Sequence, residues 1–151
     1  MRTMNEVFIG APAERVYDLA AHTERWPVIL PHYRSVRIIE QRESQRLVEM
    51  AAWRDFIPVR WVAKQWNDGA IPRIRFQHVA GWTKGMDVEW QFERLDGGTR
   101  VQIVHELDFR FPIASRFLGQ HVVGEFFVHD IAGKTLKRMK QLSEYGDPPQ
   151  H

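Results

Sequence analysis

The chain has 151 residues, enough for one domain with a buried core, and its 44% hydrophobic content excludes wholesale disorder. It has no cysteine, which excludes disulfides, thiolate metal sites and cysteine nucleophiles. The net charge of +2 is small, and the arginines from Arg34 to Arg75 alternate with apolar residues, so they read as the wet side of a sheet rather than a nucleic-acid face.

No stretch approaches the ~20 apolar residues of a membrane span, and the start lacks the apolar run of a secretory signal. A cytoplasmic protein is the expectation. The unusual feature is the ring content, six Trp, nine Phe and three Tyr. Such rings fill a core, and they also make rigid walls for an apolar ligand.

Residues 3–9 read as a strand that turns at Gly10. Pro12 suits the first turn of a helix over 12–21, with Val16, Leu19 and Ala20 as its apolar stripe. Thr23 is placed to cap a second short helix, which Pro27 and Pro31 keep brief. Period-two alternation then predicts strands over 34–42, 46–54, 56–66, 72–79, 85–95 and 99–110. Their connections carry turn residues, as in Asn67-Asp68-Gly69 and Asp96-Gly97-Gly98, and loops this short favour antiparallel neighbours.

Residues 114–145 read as one long helix in which Leu118, Val122, Phe126, Gly133 and Leu136 form an apolar stripe that Val128, Ile131, Met139 and Leu142 widen. The expected unit is therefore one domain over 1–146 with a frayed tail at 147–151. Its class is α+β: a curved seven-stranded antiparallel sheet around a long C-terminal helix, with two short helices after the first strand. This is a helix-grip arrangement. A curved sheet cannot touch a straight helix along its whole concave face, so a hollow with room for a guest is expected between them.

Alternation also says which side chains face that hollow. Ile57, Val59, Trp61, Ala63 and Gln65 share one face of their strand, as do Ile74, Phe76 and His78, then Met86, Val88, Trp90 and Phe92, then Val101, Ile103, His105, Leu107 and Phe109. The inward set is apolar except for Gln65, His78 and His105. A buried polar group without a partner costs about 1–3 kcal/mol, so these three bond either one another, the backbone and water, or a polar part of a ligand.

The stretch Glu6-Val7-Phe8-Ile9-Gly10-Ala11-Pro12-Ala13-Glu14-Arg15-Val16-Tyr17-Asp18-Leu19, followed by Glu24-Arg25-Trp26-Pro27 and Tyr33, resembles the polyketide cyclase/dehydrase branch of the START-like superfamily. The resemblance runs on through Trp61, Trp90, the Asp96-Gly97-Gly98-Thr99 turn, His105-Glu106-Leu107-Asp108 and Lys137-Arg138-Met139-Lys140. It is strongest to bacterial aromatase/cyclases, and it implies aldol cyclisation and dehydration of a poly-β-ketone in an interior pocket with no metal or organic cofactor.

By position, the resemblance implies a pocket lined by Trp26, Tyr33, Trp61, Met86 and Trp90, with polar groups at His105 and His129. One departure stands out: Gln65 occupies the place of a pocket arginine in the aromatase/cyclases. The candidate catalytic residues are Tyr33 as proton donor, His105 as proton carrier and Gln65 as hydrogen-bond donor to a carbonyl. The candidate ligand-binding residues are Trp26, Trp61, His78, Met86, Trp90, Phe109, Phe126 and His129.

His121, Glu125 and His129 stack at i, i+4, i+8 on the helix, a spacing compatible with zinc. No second motif supports a metal there, and none is assigned. The expected partner is a hydrophobic small molecule, free or presented on an acyl carrier protein, bound by a monomer or weak dimer. The alternative to an enzyme is a lipid or quinone carrier, like the coenzyme Q-binding relatives of the same fold.

Overall fold

The structure is a computed structural model, and it describes residues 2–54, 56–81, 83–107 and 131–145. Strand β1 (Arg2–Ile9) leads into helix α1 (Ala13–Ala21), a 3-10 turn (Thr23–Arg25) and a short helix α2 (Trp26–Ile29). Six strands follow: β2 (Tyr33–Arg42), β3 (Gln45–Arg54), β4 (Ile57–Asp68), β5 (Arg73–Gly81), β6 (Met86–Leu95) and β7 (Gly98–Leu107). Helix α3 (Gly133–Tyr145) comes last among the described elements.

These strands form one seven-stranded sheet in the order β1-β7-β6-β5-β4-β3-β2. Every neighbouring pair is antiparallel. Six consecutive strands are joined as a meander, while β1 crosses to the far edge by way of α1 and α2. Irregularities at Tyr33/Ser35, Ile38/Glu40 and Val62/Ala63 interrupt the register, and such bulges bend a strand and increase its twist.

The predicted faces are observed except at the start of β4, where Ile57 is exposed and Val59 half-buried because the strand's first residues extend past the covered part of the sheet. Trp61, Ala63 and Gln65 are buried, as are Ile74, Phe76 and His78, and Met86, Val88, Trp90 and Phe92. In β7, Val101, Ile103 and His105 are buried, and the described residues end at Leu107. The predicted end of that strand, the helix over 114–130 and the His121, Glu125, His129 trio lie outside the described residues.

Along α3 the pattern is amphipathic. Leu136, Met139 and Leu142 are buried, while Lys134, Lys137 and Gln141 are exposed on the opposite side. Polar ties fix this helix to the start of the chain. Lys140 Nζ donates to the Phe8 carbonyl at 2.8 Å, and the Gly10 amide donates to Glu144 Oε2 at 2.7 Å. The Gly10 amide and then Lys140 hold the Glu144 carboxyl below its ordinary pKa. Arg15 donates to the Ser143 carbonyl at 3.0 Å, and Arg138 Nε donates to the Ile29 carbonyl at 3.0 Å.

Thr23 does not act as the expected helix cap. His22 takes that position, and the Thr23 hydroxyl turns inward to the sheet. No helix among the described residues is long and apolar enough to cross a membrane.

At the β6–β7 hairpin, Gly97 adopts φ +80 in the turn, and Gly98 packs against β1. A Cβ on Gly98 would sit within van der Waals overlap of the Ile9 carbonyl oxygen, which is backbone and cannot swing aside. Gly98→Ala should therefore part β1 from the hairpin and destabilise the domain by on the order of 2 kcal/mol. Chemical denaturation of the purified variant measures this, and an unchanged midpoint would contradict it.

Candidate functional site

The interior site forms where α2, the inward faces of β2–β7 and the start of α3 converge. Its lining includes Trp26, Tyr33, Trp61, His78, Trp90, His105 and Thr135. Trp26 stands at the centre, 2% exposed. Its ring lies edge-on to Tyr33 with centroids 5.0 Å apart, and tilted against Trp90 at 5.8 Å and Phe76 at 6.1 Å. Tyr33 in turn lies edge-on to Trp61 at 6.1 Å, and Trp61 stacks flat on His78 at 5.7 Å with 6° between the planes.

These contacts correct the expected open hollow. The cavity bounded by the rings is about 40 Å³, room for roughly three waters. Pockets for drug-sized ligands run to about 300–1,000 Å³. The physical reason is Trp26, whose indole is carried into the gap by α2 and occupies it.

Among the described residues, three titratable groups with shifted pKa line the cavity. Burial pushes the Tyr33 hydroxyl well above its ordinary pKa, and a hydrogen bond with Thr135 offsets only part of that. The Tyr33 phenol is thus protonated at neutral pH. Burial lowers His105 from 6.5 to about 4. Burial and then the neighbouring His105 lower His78 from 6.5 to about 3. Both imidazoles are neutral at pH 7. The sequence-based role for His105 assumed a pKa near neutrality, and loss of hydration on the inner face moves it away.

His78 Nδ1 shares a hydrogen bond with the Thr83 hydroxyl, which lies just beyond the end of β5. The Thr135 hydroxyl donates to the Ile131 carbonyl at 2.7 Å and lies 2.9 Å from His32 Nε2. Since the threonine proton goes to Ile131, the imidazole of His32 is the donor of that second bond.

Gln65 does not line this cavity. Its Oε1 accepts from the Thr23 hydroxyl at 2.8 Å and from Arg46 Nε at 3.3 Å. Its Nε2 donates to the Ala21 carbonyl and to Asn67 Oδ1, both at 2.9 Å. The amide is fully engaged, so the catalytic role expected of it gives way to a structural one. Arg46 faces Gln65 across the β3–β4 ladder. It brings a guanidinium to this spot, yet aims it at the C-terminal carbonyl of α1 (2.7 Å) and at Glu24 (2.9 Å). A cation at that helix end is favourable.

Of the other expected residues, Trp26, Trp61, His78 and Trp90 are brought together, while Met86 is buried but outside the lining. Phe109, Phe126 and His129 lie outside the described residues. Met50 and Thr135 line the cavity without having been singled out. Their signals were present: Met50 alternates with Val48 and Ala52, and Thr135 sits one turn from Ile131 and from Met139.

Fold and site together define a helix-grip domain with an aromatic-walled interior cavity. Comparison makes this specific. Residues 9–140 match the family described as "Polyketide cyclase / dehydrase and lipid transport", and the chain belongs to that family. A Streptomyces halstedii protein named "Putative polyketide cyclase" is 31% identical over 104 residues, covering 66% of this chain and 94% of that protein. Among solved structures, the Zhui aromatase/cyclase from Streptomyces sp. R1128 superposes with TM-score 0.79 at 18% identity, over 99% of both chains. A Thermus thermophilus protein superposes with TM-score 0.78 at 24% identity, over 93% of this chain and 95% of that one. These two share the fold.

Two measurements test the site as described. Gln65→Leu should cost on the order of 1–3 kcal/mol, because the buried Thr23 hydroxyl loses its acceptor and Asn67 Oδ1 its donor, while Arg46 keeps Glu24 and the Ala21 carbonyl. Equilibrium denaturation reads this directly, and a neutral result would remove Gln65 from the framework.

The second concerns pH. The folded chain binds protons at His78 and His105 only near 3 and 4, whereas the unfolded chain binds them near 6.5. Stability is therefore fully present above about pH 6.5 and is lost as pH falls toward 4, by on the order of a few kcal/mol. Melting curves across that range should show a shallower loss in His105→Gln than in the parent; parallel curves would contradict the assignment.

Proposed function

We propose that this chain is an aromatase/cyclase-type enzyme that folds a polyketide, or a similar hydrophobic chain, inside the aromatic cavity and promotes aldol cyclisation and dehydration. The observation that carries the reading is the convergence of Tyr33, His78 and His105 on one small space walled by Trp26, Trp61 and Trp90. A site meant only to hold an apolar molecule has no use for three polar side chains that each had to be desolvated.

The chemistry fits those groups. In aldol closure a proton leaves the carbon beside one carbonyl, the enolate carbon attacks a second carbonyl, and the new alkoxide takes up a proton. Loss of that hydroxyl with a neighbouring proton releases water. No electrons are transferred, so the sequence of steps balances with proton carriers alone, and the proposal includes no cofactor.

Tyr33, held protonated by burial, donates to the electrophilic carbonyl and its alkoxide. A neutral imidazole at His105 accepts the α-proton, and the enolate formed beside it favours the resulting imidazolium. The indoles supply proximity by bending the chain. Because the resting cavity is small, binding begins with displacement of the rings, and their closure around the chain expels water. The substrate reaches the cavity either free or presented on an acyl carrier protein.

A second reading, a carrier of a lipid or quinone, is favoured by one observation. His78 and Tyr33 already have partners within the protein, in Thr83 and Thr135. Incubation with a poly-β-ketone thioester separates the two. An enzyme yields a dehydrated aromatic product above the buffer rate, followed by absorbance and mass spectrometry, while a carrier returns the chain unchanged. Tyr33→Phe should lower turnover by about 100-fold while affinity for an apolar aromatic ligand stays within about twofold. Equal losses in both would argue against proton donation by Tyr33.

A further inference from the structure

Outside the cavity, one surface groove combines size, charge and an aromatic wall. It measures about 630 Å³ and lies between α3 and the segment joining α2 to β2. Lys134, Lys137 and Arg138 line it from the helix, His32 from the connecting segment and Trp53 from the end of β3. The helix residues fall at i, i+3 and i+4, so their side chains rise from one face. No carboxylate occurs among the described lining residues.

Two of these groups are fixed in place. Arg138 is tethered by Nε to the Ile29 carbonyl at 3.0 Å and by Nη1 to Gln141 Oε1 at 3.3 Å. Trp53 is held by its amide, which donates to the His32 carbonyl at 2.8 Å. Its indole, in a residue 38% exposed, carries the Arg34 guanidinium 4.7 Å from the ring centroid. Beyond it, at the β3–β4 turn, Phe56 is 85% exposed. Cations on one wall and the Trp53 indole on the other match a molecule that is anionic at one end and apolar at the other.

The groove also abuts the interior. His32 lines the groove, its ring lies 4.9 Å from that of Tyr33, and its Nε2 donates to the Thr135 hydroxyl, which lines the cavity. One layer of side chains separates the two spaces.

We propose that this groove binds the phosphate group of an amphiphilic ligand, with Lys134, Lys137 and Arg138 taking the oxygens and Trp53 taking the adjoining apolar portion. The site is additional to the cavity and does not depend on the chemistry proposed there. The phosphate can belong to a soluble molecule or to a lipid headgroup, and the same groups recognise both.

The test uses the intact protein and two probes: 1-naphthyl phosphate by calorimetry, and phosphatidylcholine vesicles with or without phosphatidic acid by co-sedimentation. The Lys134→Glu/Lys137→Glu double variant reverses charge on an exposed helix face, and its melting temperature checks that it folds. Binding of either phosphate probe, weakened about tenfold or more by the double variant and by added salt, supports the site. Naphthyl phosphate alone points to a soluble ligand, and phosphatidic acid vesicles point to a headgroup. Failure of both probes, or binding that the double variant leaves unchanged, overturns it. Neither result bears on turnover of a poly-β-ketone.

Discussion

A bent sheet and a straight helix meet well only along part of their length, and something must occupy the space where they diverge. Here that something is an indole from neither of them. Trp26 comes from the short helix between β1 and β2, and it is buried against rings from β2, β5 and β6. The short helices are therefore part of the interior wall rather than a mere crossover. The ties of α3 to Phe8, Gly10 and Ile29 act on the same problem from the other side, holding the helix over the sheet.

That arrangement explains why the polar groups of the interior are held in their neutral forms. Tyr33, His78 and His105 project from separate strands into a space lined by rings, so each loses water without gaining a full counter-charge. Desolvation then moves every pKa in the direction of the neutral form, up for the phenol and down for the imidazoles. A resting site made of neutral donors and acceptors suits carbonyl chemistry, in which charge develops only during reaction.

Alternation along the strands was enough to identify the inward faces, because a one-residue slip would have turned Trp61, Trp90 and Ile103 to solvent. It was not enough to say what each inward polar residue does. Gln65 and His105 occupy equivalent positions in the pattern, yet one is consumed by Thr23, Arg46, Ala21 and Asn67 while the other faces the cavity. Asn67 is two residues along the same strand, but Ala21, Thr23 and Arg46 come from α1, the 3-10 turn and β3, and no local spacing announces them. Thr23 illustrates the same point: its sequence context suggests a helix cap, and the sheet claims its hydroxyl instead.

By itself the sequence determined the element types, the antiparallel meander and the set of side chains turned inward, since these follow from periodicity and turn chemistry acting over a few residues. Tertiary structure alone decided that the hollow is narrowed by Trp26, that Gln65 is tied to α1 and the 3-10 turn away from the cavity lining, and that the basic face of α3 becomes one wall of a groove with Trp53 opposite. Each of those outcomes depends on residues far apart in the chain meeting in space, where shape and desolvation, rather than pattern, set the result.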